Sequence, residues 1–215
     1  MNKMKTLSNY LADLPFVAIL RGIQTHECLA VSRILYDAGF RCIEIPLNSP
    51  AAINSIALLS KEMPEDCLLG AGTVMTTAQV NAVQAAGGKL IVMPHCDPEI
   101  IFHAKNVDLI CAPGVATLSE AFASLKAGAD ALKLFPAESV PVSVLKAWRT
   151  VLPADVICLP VGGVKPDGMR AYVQAGANGF GLGSHLYKAG QSLLQVGDSA
   201  DAFVRAWRAL VPSSP

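Results

Sequence analysis

The sequence predicts an α/β protein formed by a single (β/α)8 TIM barrel over residues 1–215. Eight short, almost continuously apolar runs follow one another, with about 24 residues between their starts. Such runs are typical of parallel strands buried on both faces, and helical stretches between them complete eight strand–helix units. The expected strands are 16–20 (FVAIL), 42–46 (CIEIP), 68–73 (LLGAGT), 90–94 (LIVMP), 109–113 (LICAP), 131–135 (ALKLF), 156–161 (VICLPV) and 179–183 (GFGLG).

The segments between these runs carry the start and stop signals of helices. Proline stands near the expected first turn at Pro50, Pro98 and Pro166, where its fixed backbone angle suits a helix start. Glycine stands just before every second strand and suits the left-handed position that ends a helix. These glycines are Gly39, Gly87, Gly128 and Gly176.

The two ends of the chain complete the predicted barrel. We expect a helix over about residues 2–13 to cap its lower end, and residues 198–211 to form the last outer helix. The main competing fold is an open doubly wound sheet. That fold usually has a glycine-rich G-x-G-x-x-G turn after its first strand, and here the turn reads LRGIQ.

Composition limits the classes of partner. Seventeen basic residues balance seventeen acidic ones, so no broad field attracts nucleic acid or an anionic membrane. The six cysteines form no C-x-x-C pair, which fits free thiols in a reducing compartment. The first residues lack the apolar core of a signal peptide, and no apolar run approaches the ~18 residues of a membrane helix. We therefore expect a cytoplasmic protein.

Two of the apolar runs carry a lone charge, Lys133 in ALKLF and Glu44 in CIEIP. Alternate side chains of a barrel strand face inward, and this alternation puts both charges inside, near the strand ends where active sites lie. One interpretation is a buried ion pair, which at best breaks even against apolar residues. The other is a neutral lysine that forms a Schiff base with a ketone while the carboxylate moves protons. The expected inward residues are Ala131, Lys133, Phe135, Cys42, Glu44 and Pro46.

Glycine-rich segments follow the last two strands, at 161–164 (VGGV) and 181–184 (GLGS). Loops after strands seven and eight are the usual phosphate site of a (β/α)8 barrel, because glycine lets backbone N–H groups approach the oxygens. Ser184 can add a hydroxyl. The alternative is that both segments are only tight turns.

Three further residues stand at strand ends. Arg21 ends the first strand and can hold a carboxylate with two hydrogen bonds, although a solvated loop arginine is an equal alternative. Thr73 ends the third strand. His95 follows the fourth strand and is a candidate for the lining of the same pocket.

Taken together, VAILRGI, IEIPLNSP, LLGAGTV, PGVATLSE, ALKLFP, PVGGV and GLGSHLYKAGQS resemble the 2-keto-3-deoxy-6-phosphogluconate and -phosphogalactonate aldolases. The resemblance runs from about residue 15 to residue 210. It implies a homotrimeric (β/α)8 class I aldolase without metal or cofactor. The implied reaction splits a 2-keto-3-deoxy-6-phospho sugar acid into pyruvate and glyceraldehyde 3-phosphate.

The resemblance also implies a role for each candidate residue. Lys133 matches the Schiff-base lysine, Glu44 the general acid and base, and Arg21 the arginine that holds the substrate carboxylate. The side chain of Val161 faces the C4 region of the substrate. The pyruvate pocket corresponds to Thr73, Pro94 and Phe135, and the phosphate loops to Gly162, Gly163, Gly183 and Ser184.

Two segments separate the branches of this family. The gluconate branch typically reads L-R-T after the glutamate strand and T-G-G at strand seven, whereas this chain has 47–49 (LNS) and 161–163 (VGG). Both resemble the galactonate branch, while Ala137 and Glu138 resemble the gluconate branch. We therefore expect the galactonate substrate, with the gluconate epimer as the alternative. A non-enzymatic phosphosugar-binding barrel would not explain the inward Lys133 and Glu44.

Overall fold

The computed structural model describes residues 6–210 and contains nine short strands, each parallel to its neighbours. Eight of the strands fall within the eight predicted apolar runs. The other strand, at 114–115, directly follows the fifth run. The strands are β1 (Phe16–Ile19), β2 (Cys42–Pro46), β3 (Leu68–Gly72), β4 (Leu90–Val92), β5 (Ile110–Ala112), β6 (Gly114–Val115), β7 (Leu132–Leu134), β8 (Cys158–Pro160) and β9 (Phe180–Leu182).

Helices connect the strands. In the described part they are α1 (Leu7–Tyr10), α2 (Thr25–Asp37), α3 (Ala52–Glu62), α4 (Thr77–Ala85), α5 (Pro98–Asn106), α6 (Leu118–Lys126), α7 (Val142–Trp148), α8 (Met169–Gln174) and α9 (Leu193–Arg208), with a 3-10 turn at Pro166–Gly168. The helix expected over about 2–13 is thus only one turn long here, and residues 2–5 lie outside the described range. The last helix begins earlier than expected, and residue 211 also lies outside that range. None of the helices in this range is long and apolar enough to cross a membrane.

The strands form two sheets, so the prediction of one closed eight-stranded TIM barrel is wrong. A curled six-stranded sheet has the order β5-β4-β3-β2-β1-β9, and a separate three-stranded sheet has the order β6-β7-β8. Within each sheet the parallel registers are regular, for example Ile19 beside Glu44 and Glu44 beside Gly70. The eight predicted runs each contain a strand, but the additional strand β6 and the division into two sheets were not predicted.

The ladder is interrupted at two seams. At the first, Pro113 separates β5 from β6, and proline has no N–H with which to continue a ladder. Its carbonyl accepts a hydrogen bond from Lys133 N–H of the small sheet at 2.9 Å. At the second seam there is no continuous ladder within the described residues: an isolated bridge between Val161 and Gly181 and a hydrogen bond from Asn178 N–H to the Cys158 carbonyl at 3.0 Å join the β8 segment to the β9 segment. Apolar runs reveal where strands lie, but they do not show whether neighbouring edges pair.

Both sheets contribute to one interior. An interior cluster of side chains is enclosed by the strands and includes Val17, Cys42, Ala131 and Leu159, with Leu7 of α1 packed against it. The outer core lies between strands and helices. It includes the residues of β2 and β7 that alternate with the inward ones, which are Ile43, Ile45, Leu132 and Leu134. The alternation predicted for β2 and β7 is therefore confirmed, and it directs the side chains of these strands alternately to the interior and to the helices.

Candidate active site

Lys133 of β7 and Glu44 of β2 lie in the interior enclosed by the two sheets. Lys133 is only 5% exposed and Glu44 only 1%. Both line a narrow space that also contacts Ile19 and Val161. Among the ion pairs of residues 6–210, none joins Lys133 to Glu44. The two groups therefore share one buried space without forming the close ion pair that was one interpretation of the sequence.

Burial shifts the protonation of both groups toward the neutral forms. Desolvation raises the pKa of Glu44 from 4.5 to about 7, although the charges of Lys133 and Arg21 oppose the shift. Desolvation likewise lowers the pKa of Lys133, an effect that Arg21 strengthens and Glu44 opposes. Lys133 Nζ lies 4.5 Å from the centroid of the Phe135 ring. The site can thus present a neutral amine beside a carboxyl group that gains and loses a proton near neutral pH.

Gly72, the last residue of β3, contacts the carboxylate of Glu44. A Cβ at this position would overlap the carboxylate oxygens. Oε2 of Glu44 is buried and makes no hydrogen bond within the described residues. Gly72 therefore leaves space for the carboxyl group without donating a hydrogen bond to this oxygen. The sequence pattern did not predict this contact, although a glycine inside a buried strand often marks a close approach.

A cavity of about 390 Å³ opens at the carboxyl ends of the strands, next to the narrow space that holds Lys133 and Glu44. Ile19, Val161 and Gly181 line both spaces, so the cavity continues toward the two buried groups. The cavity brings together seven of the predicted residues: Arg21, Phe135, Val161, Gly162, Gly163, Gly183 and Ser184.

The two glycine-rich loops have the backbone geometry of an anion site. Gly162 and Gly163 have positive φ angles of 113° and 62°, a region that glycine adopts without strain. Within residues 6–210, neither the N–H of Gly163 nor that of Ser184 donates a hydrogen bond. Unpaired N–H groups beside an open cavity are suited to hold oxyanions.

Arg21 reaches the cavity from the loop after β1. Its Nη1 donates a hydrogen bond to Asn48 Oδ1 at 2.6 Å, and the N–H of Gly22 donates to Ser49 Oγ at 2.9 Å. The loop after β2 therefore orients the guanidinium. A guanidinium held in this way retains further N–H donors for a carboxylate.

Three candidates do not line the cavity. Thr73 follows β3 with a positive φ of 56°, and Pro94 lies behind β6, where a Cβ on Gly114 would come within 2.5 Å of its backbone. Neither contributes to the lining of the cavity or of the buried space. His95, a further candidate, is exposed and is likewise not among the lining residues of either space.

The structure adds residues that the sequence analysis did not select. His185, Tyr187 and Lys188 line the cavity directly after the second glycine loop. Tyr187 Oη donates a hydrogen bond to Glu27 Oε1 at 2.8 Å, which joins this segment to α2. The only sequence signal was their position after Ser184. In the described range, no group of three or more His, Cys, Asp or Glu residues is placed to hold a metal ion.

Comparison with known proteins identifies related chains. The family model "Aldolase: KDPG and KHG aldolase" matches residues 7–203. The 2-dehydro-3-deoxy-6-phosphogalactonate aldolase of Escherichia coli K12 is 44% identical over 92% of this chain and 97% of its own. The 2-dehydro-3-deoxy-phosphogluconate aldolase of Pseudomonas aeruginosa is 31% identical over 80% of this chain and 76% of its own.

Solved structures give the same relationship. A structure described as native KDPGal superposes with a TM-score of 0.90 at 44% identity, covering 92% of this chain and 96% of that chain. A KDPG aldolase from Legionella pneumophila, with pyruvate captured at low pH as a covalent carbinolamine intermediate, superposes with a TM-score of 0.80. It is 25% identical and covers 96% of this chain and 98% of the other.

Proposed function

The chain belongs to the KDPG and KHG aldolase family and is an aldolase, a lyase, and on this premise we propose that it works through a Schiff base on Lys133. The observation that carries the proposal is the burial of this amine, which lowers its pKa. A neutral amine is the nucleophile that imine formation requires. The Legionella relative, which holds pyruvate as a covalent carbinolamine, supports the same chemistry.

The first half of the reaction forms the imine. The Lys133 amine adds to the C2 carbonyl carbon of the substrate and gives a carbinolamine. Glu44 supplies the proton with which the C2 hydroxyl leaves as water, and a cationic imine remains. The raised pKa of Glu44, about 7, lets the carboxyl group hold this proton near neutral pH.

The second half breaks the carbon–carbon bond. Ionised Glu44, directly or through a water molecule, takes the C4 hydroxyl proton while the C3–C4 bond breaks. The bonding pair moves into the imine and gives an enamine, and the aldehyde glyceraldehyde 3-phosphate leaves. Glu44 then returns the proton to C3, and water hydrolyses the imine to pyruvate and free Lys133.

The remaining site residues bind the substrate in this scheme. Arg21 holds the C1 carboxylate, and Phe135 packs beside the Lys133 amine. Val161 lies at the C4 position, between the buried space and the open cavity. By the family resemblance Thr73 and Pro94 complete the pyruvate pocket, although neither lines the two spaces described above. The phosphate is held by Gly162, Gly163, Gly183 and Ser184.

The substrate we propose is 2-dehydro-3-deoxy-6-phosphogalactonate. The E. coli relative named for this substrate is 44% identical, whereas the P. aeruginosa relative named for the gluconate epimer is 31% identical. Val161 supports the same choice because it offers no hydroxyl to a C4 substituent. The gluconate epimer remains the second candidate, and kcat/KM on the two epimers separates them.

We also propose that the chain forms one aldolase domain and works in the cytoplasm as a homotrimer without a metal. Exposed large apolar side chains on neighbouring elements support self-association. They are Met75, Phe102 and Phe122, at 50%, 61% and 46% exposure. Sedimentation of the purified chain tests the assembly.

Borohydride reduction in the presence of pyruvate tests the mechanism. The wild type should gain one reduced pyruvate adduct per chain, on Lys133, and Lys133→Ala should gain none and lose all cleavage activity. Lys146→Ala, which removes an exposed lysine on α7, is the matched control and should behave as the wild type. An adduct mapped to Lys126 or Lys146 would contradict the assignment.

A further inference from the structure

The open cavity carries three basic side chains and no acidic one among its lining residues. The basic residues are Arg21, His185 and Lys188. In the proposed function Arg21 holds the carboxylate of the substrate, so the phosphate has only backbone N–H groups and a hydroxyl. The net charge of the chain is zero, and a phosphate dianion therefore gains little from the field of the whole protein.

On the basis of the proposed function, we propose that Lys188 binds the substrate phosphate and makes the enzyme select phosphorylated over unphosphorylated sugar acids. Lys188 lines the cavity four residues after Ser184. An ammonium group is a common phosphate ligand because it acts as a mobile point charge.

The side chain of Lys188 is free to take this role. The described residues contain three ion pairs, which are Arg33–Glu62, Arg41–Asp66 and Lys105–Asp130, and Lys188 belongs to none of them. Its backbone is nevertheless held, since its N–H donates to Gln191 Oε1 at 2.6 Å. The anchored backbone keeps the ammonium at the cavity, and the long side chain can follow the phosphate.

The segment that carries Lys188 is fixed on both sides. The N–H groups of Leu186 and Tyr187 both donate to the Gly183 carbonyl, at 2.8 and 2.9 Å. On the other side, Ala189 Cβ lies 3.4 Å from the position of a Cβ on Gly22. Lys188 therefore extends from a tight turn between the second glycine loop and the Arg21 loop.

Arg21 and Lys188 stand on different loops of the cavity. Arg21 follows β1, and its charge contributes to the pKa shifts of both Glu44 and Lys133. Lys188 follows the second glycine loop, four residues after Ser184, so its charge stands next to the loop that is proposed to hold the phosphate.

Glu138 makes a positive charge at this end more important. A Cβ on Gly163 would lie 2.8 Å from Glu138 Oε1, so a carboxylate adjoins the first glycine loop. A like charge beside a phosphate is unfavourable. In the proposal, the positive charge of Lys188 after the second glycine loop counters this repulsion.

Lys188→Met, which retains most of the side-chain length without the charge, tests the proposal. We expect kcat/KM for the phosphorylated substrate to fall about tenfold, mainly through KM, as for the loss of one charge-assisted hydrogen bond. The value for the unphosphorylated sugar acid should change by less than about twofold on the same reasoning. Lys188→Arg should restore most of the loss, and Lys146→Met is the matched control.

Two further readouts distinguish failure of this proposal from failure of the proposed function. Inorganic phosphate should inhibit the wild type competitively and Lys188→Met about tenfold less well. Trapping of pyruvate on Lys133 should be equal in both proteins. Equal losses on both sugar acids, unchanged phosphate inhibition, or a loss found only in His185→Asn would overturn the role of Lys188. A wild type that traps no pyruvate would instead reject the Schiff-base mechanism.

Discussion

The buried end of the site and its open end are adjacent but are built differently. Lys133 and Glu44 project from the middle of β7 and β2 into a space from which water is almost excluded. The glycine loops and Lys188 belong to loops that face solvent. At the buried end desolvation shifts the pKa values of the side chains and thereby favours their neutral forms. At the open end the backbone N–H groups and an unpaired cation supply a field that favours an anion.

The difference predicts how each end of the site responds to amino-acid substitutions. A buried group depends on every atom packed around it, so small volume changes alter its chemistry. An exposed binding group depends mainly on its own charge. Substitutions near Glu44 should therefore reduce turnover, and substitutions near Lys188 should reduce affinity.

Gly72→Ala should give the largest effect. The new Cβ would overlap the Glu44 carboxylate and displace the group that moves the protons in the proposed mechanism, and loss of such a group costs roughly 10²–10⁴ in rate. The fall should appear in kcat with little change in KM, in steady-state assays on protein shown to be folded by circular dichroism. Gly168→Ala is the control, because a Cβ there meets nothing within 4 Å. Activity within about threefold of the wild type would show that Glu44 does not need this space.

Glu44→Gln should change how stability depends on pH. The pKa of Glu44 is raised to about 7 from 4.5, so its folded form keeps a proton that the unfolded chain releases. Its stabilising contribution is therefore complete below about pH 4.5 and is lost as the pH rises through about 7. Glutamine does not titrate, so the variant should gain up to about 3 kcal/mol in free energy of unfolding over the wild type between pH 4.5 and 8.

Urea unfolding at several pH values measures this gain. Glu65→Gln, at an exposed position, provides the baseline for replacing a carboxylate. A difference between Glu44→Gln and the wild type that falls as the pH rises would contradict the burial argument.

Val161→Thr should give the smallest effect, at the border between the two ends. The residue lines both the buried space and the open cavity, and threonine adds a hydroxyl without a change of shape. We expect the ratio of kcat/KM values to move toward the gluconate epimer by about tenfold, or roughly 1.4 kcal/mol. The assay compares both C4 epimers, with Val151→Thr at a site 53% exposed as control. An unmoved ratio would remove the physical support for the galactonate substrate.

The buried end was more predictable from sequence than the open end. Strict alternation in the β2 and β7 runs was enough to direct Glu44 and Lys133 inward, because a strand leaves only two choices of face. Lys188 was missed because an exposed lysine in a loop has no pattern of its own. His95 was selected only for its place after a strand, and position along the chain does not fix the direction of a loop side chain.

The pairing of strands into sheets was also not predicted correctly from the sequence. The break of the fifth strand into β5 and β6, which pair in different sheets, and the incomplete ladder between β8 and β9 depend on tertiary contacts that no local sequence pattern contains. Pro113 ends the fifth apolar run, but a proline at that place does not show from sequence alone whether the sheet continues. Gly72 was visible as well, but its partner Glu44 is recognised only when the register of β2 and β3 is known.

The bridge between Val161 and Gly181 has a practical consequence for protein engineering. A Cβ on Gly181 would come within 2.6 Å of Val161 Cγ2, so the two positions share a fixed volume across the seam. A library that alters substrate range at position 161 must therefore keep glycine at 181 or reduce residue 161 at the same time. Randomising position 161 alone samples only side chains that fit beside glycine at 181. A library that varies both positions also samples pairs with a smaller residue at 161 and a larger one at 181. Laboratory evolution of this enzyme should treat the two codons as one unit of variation.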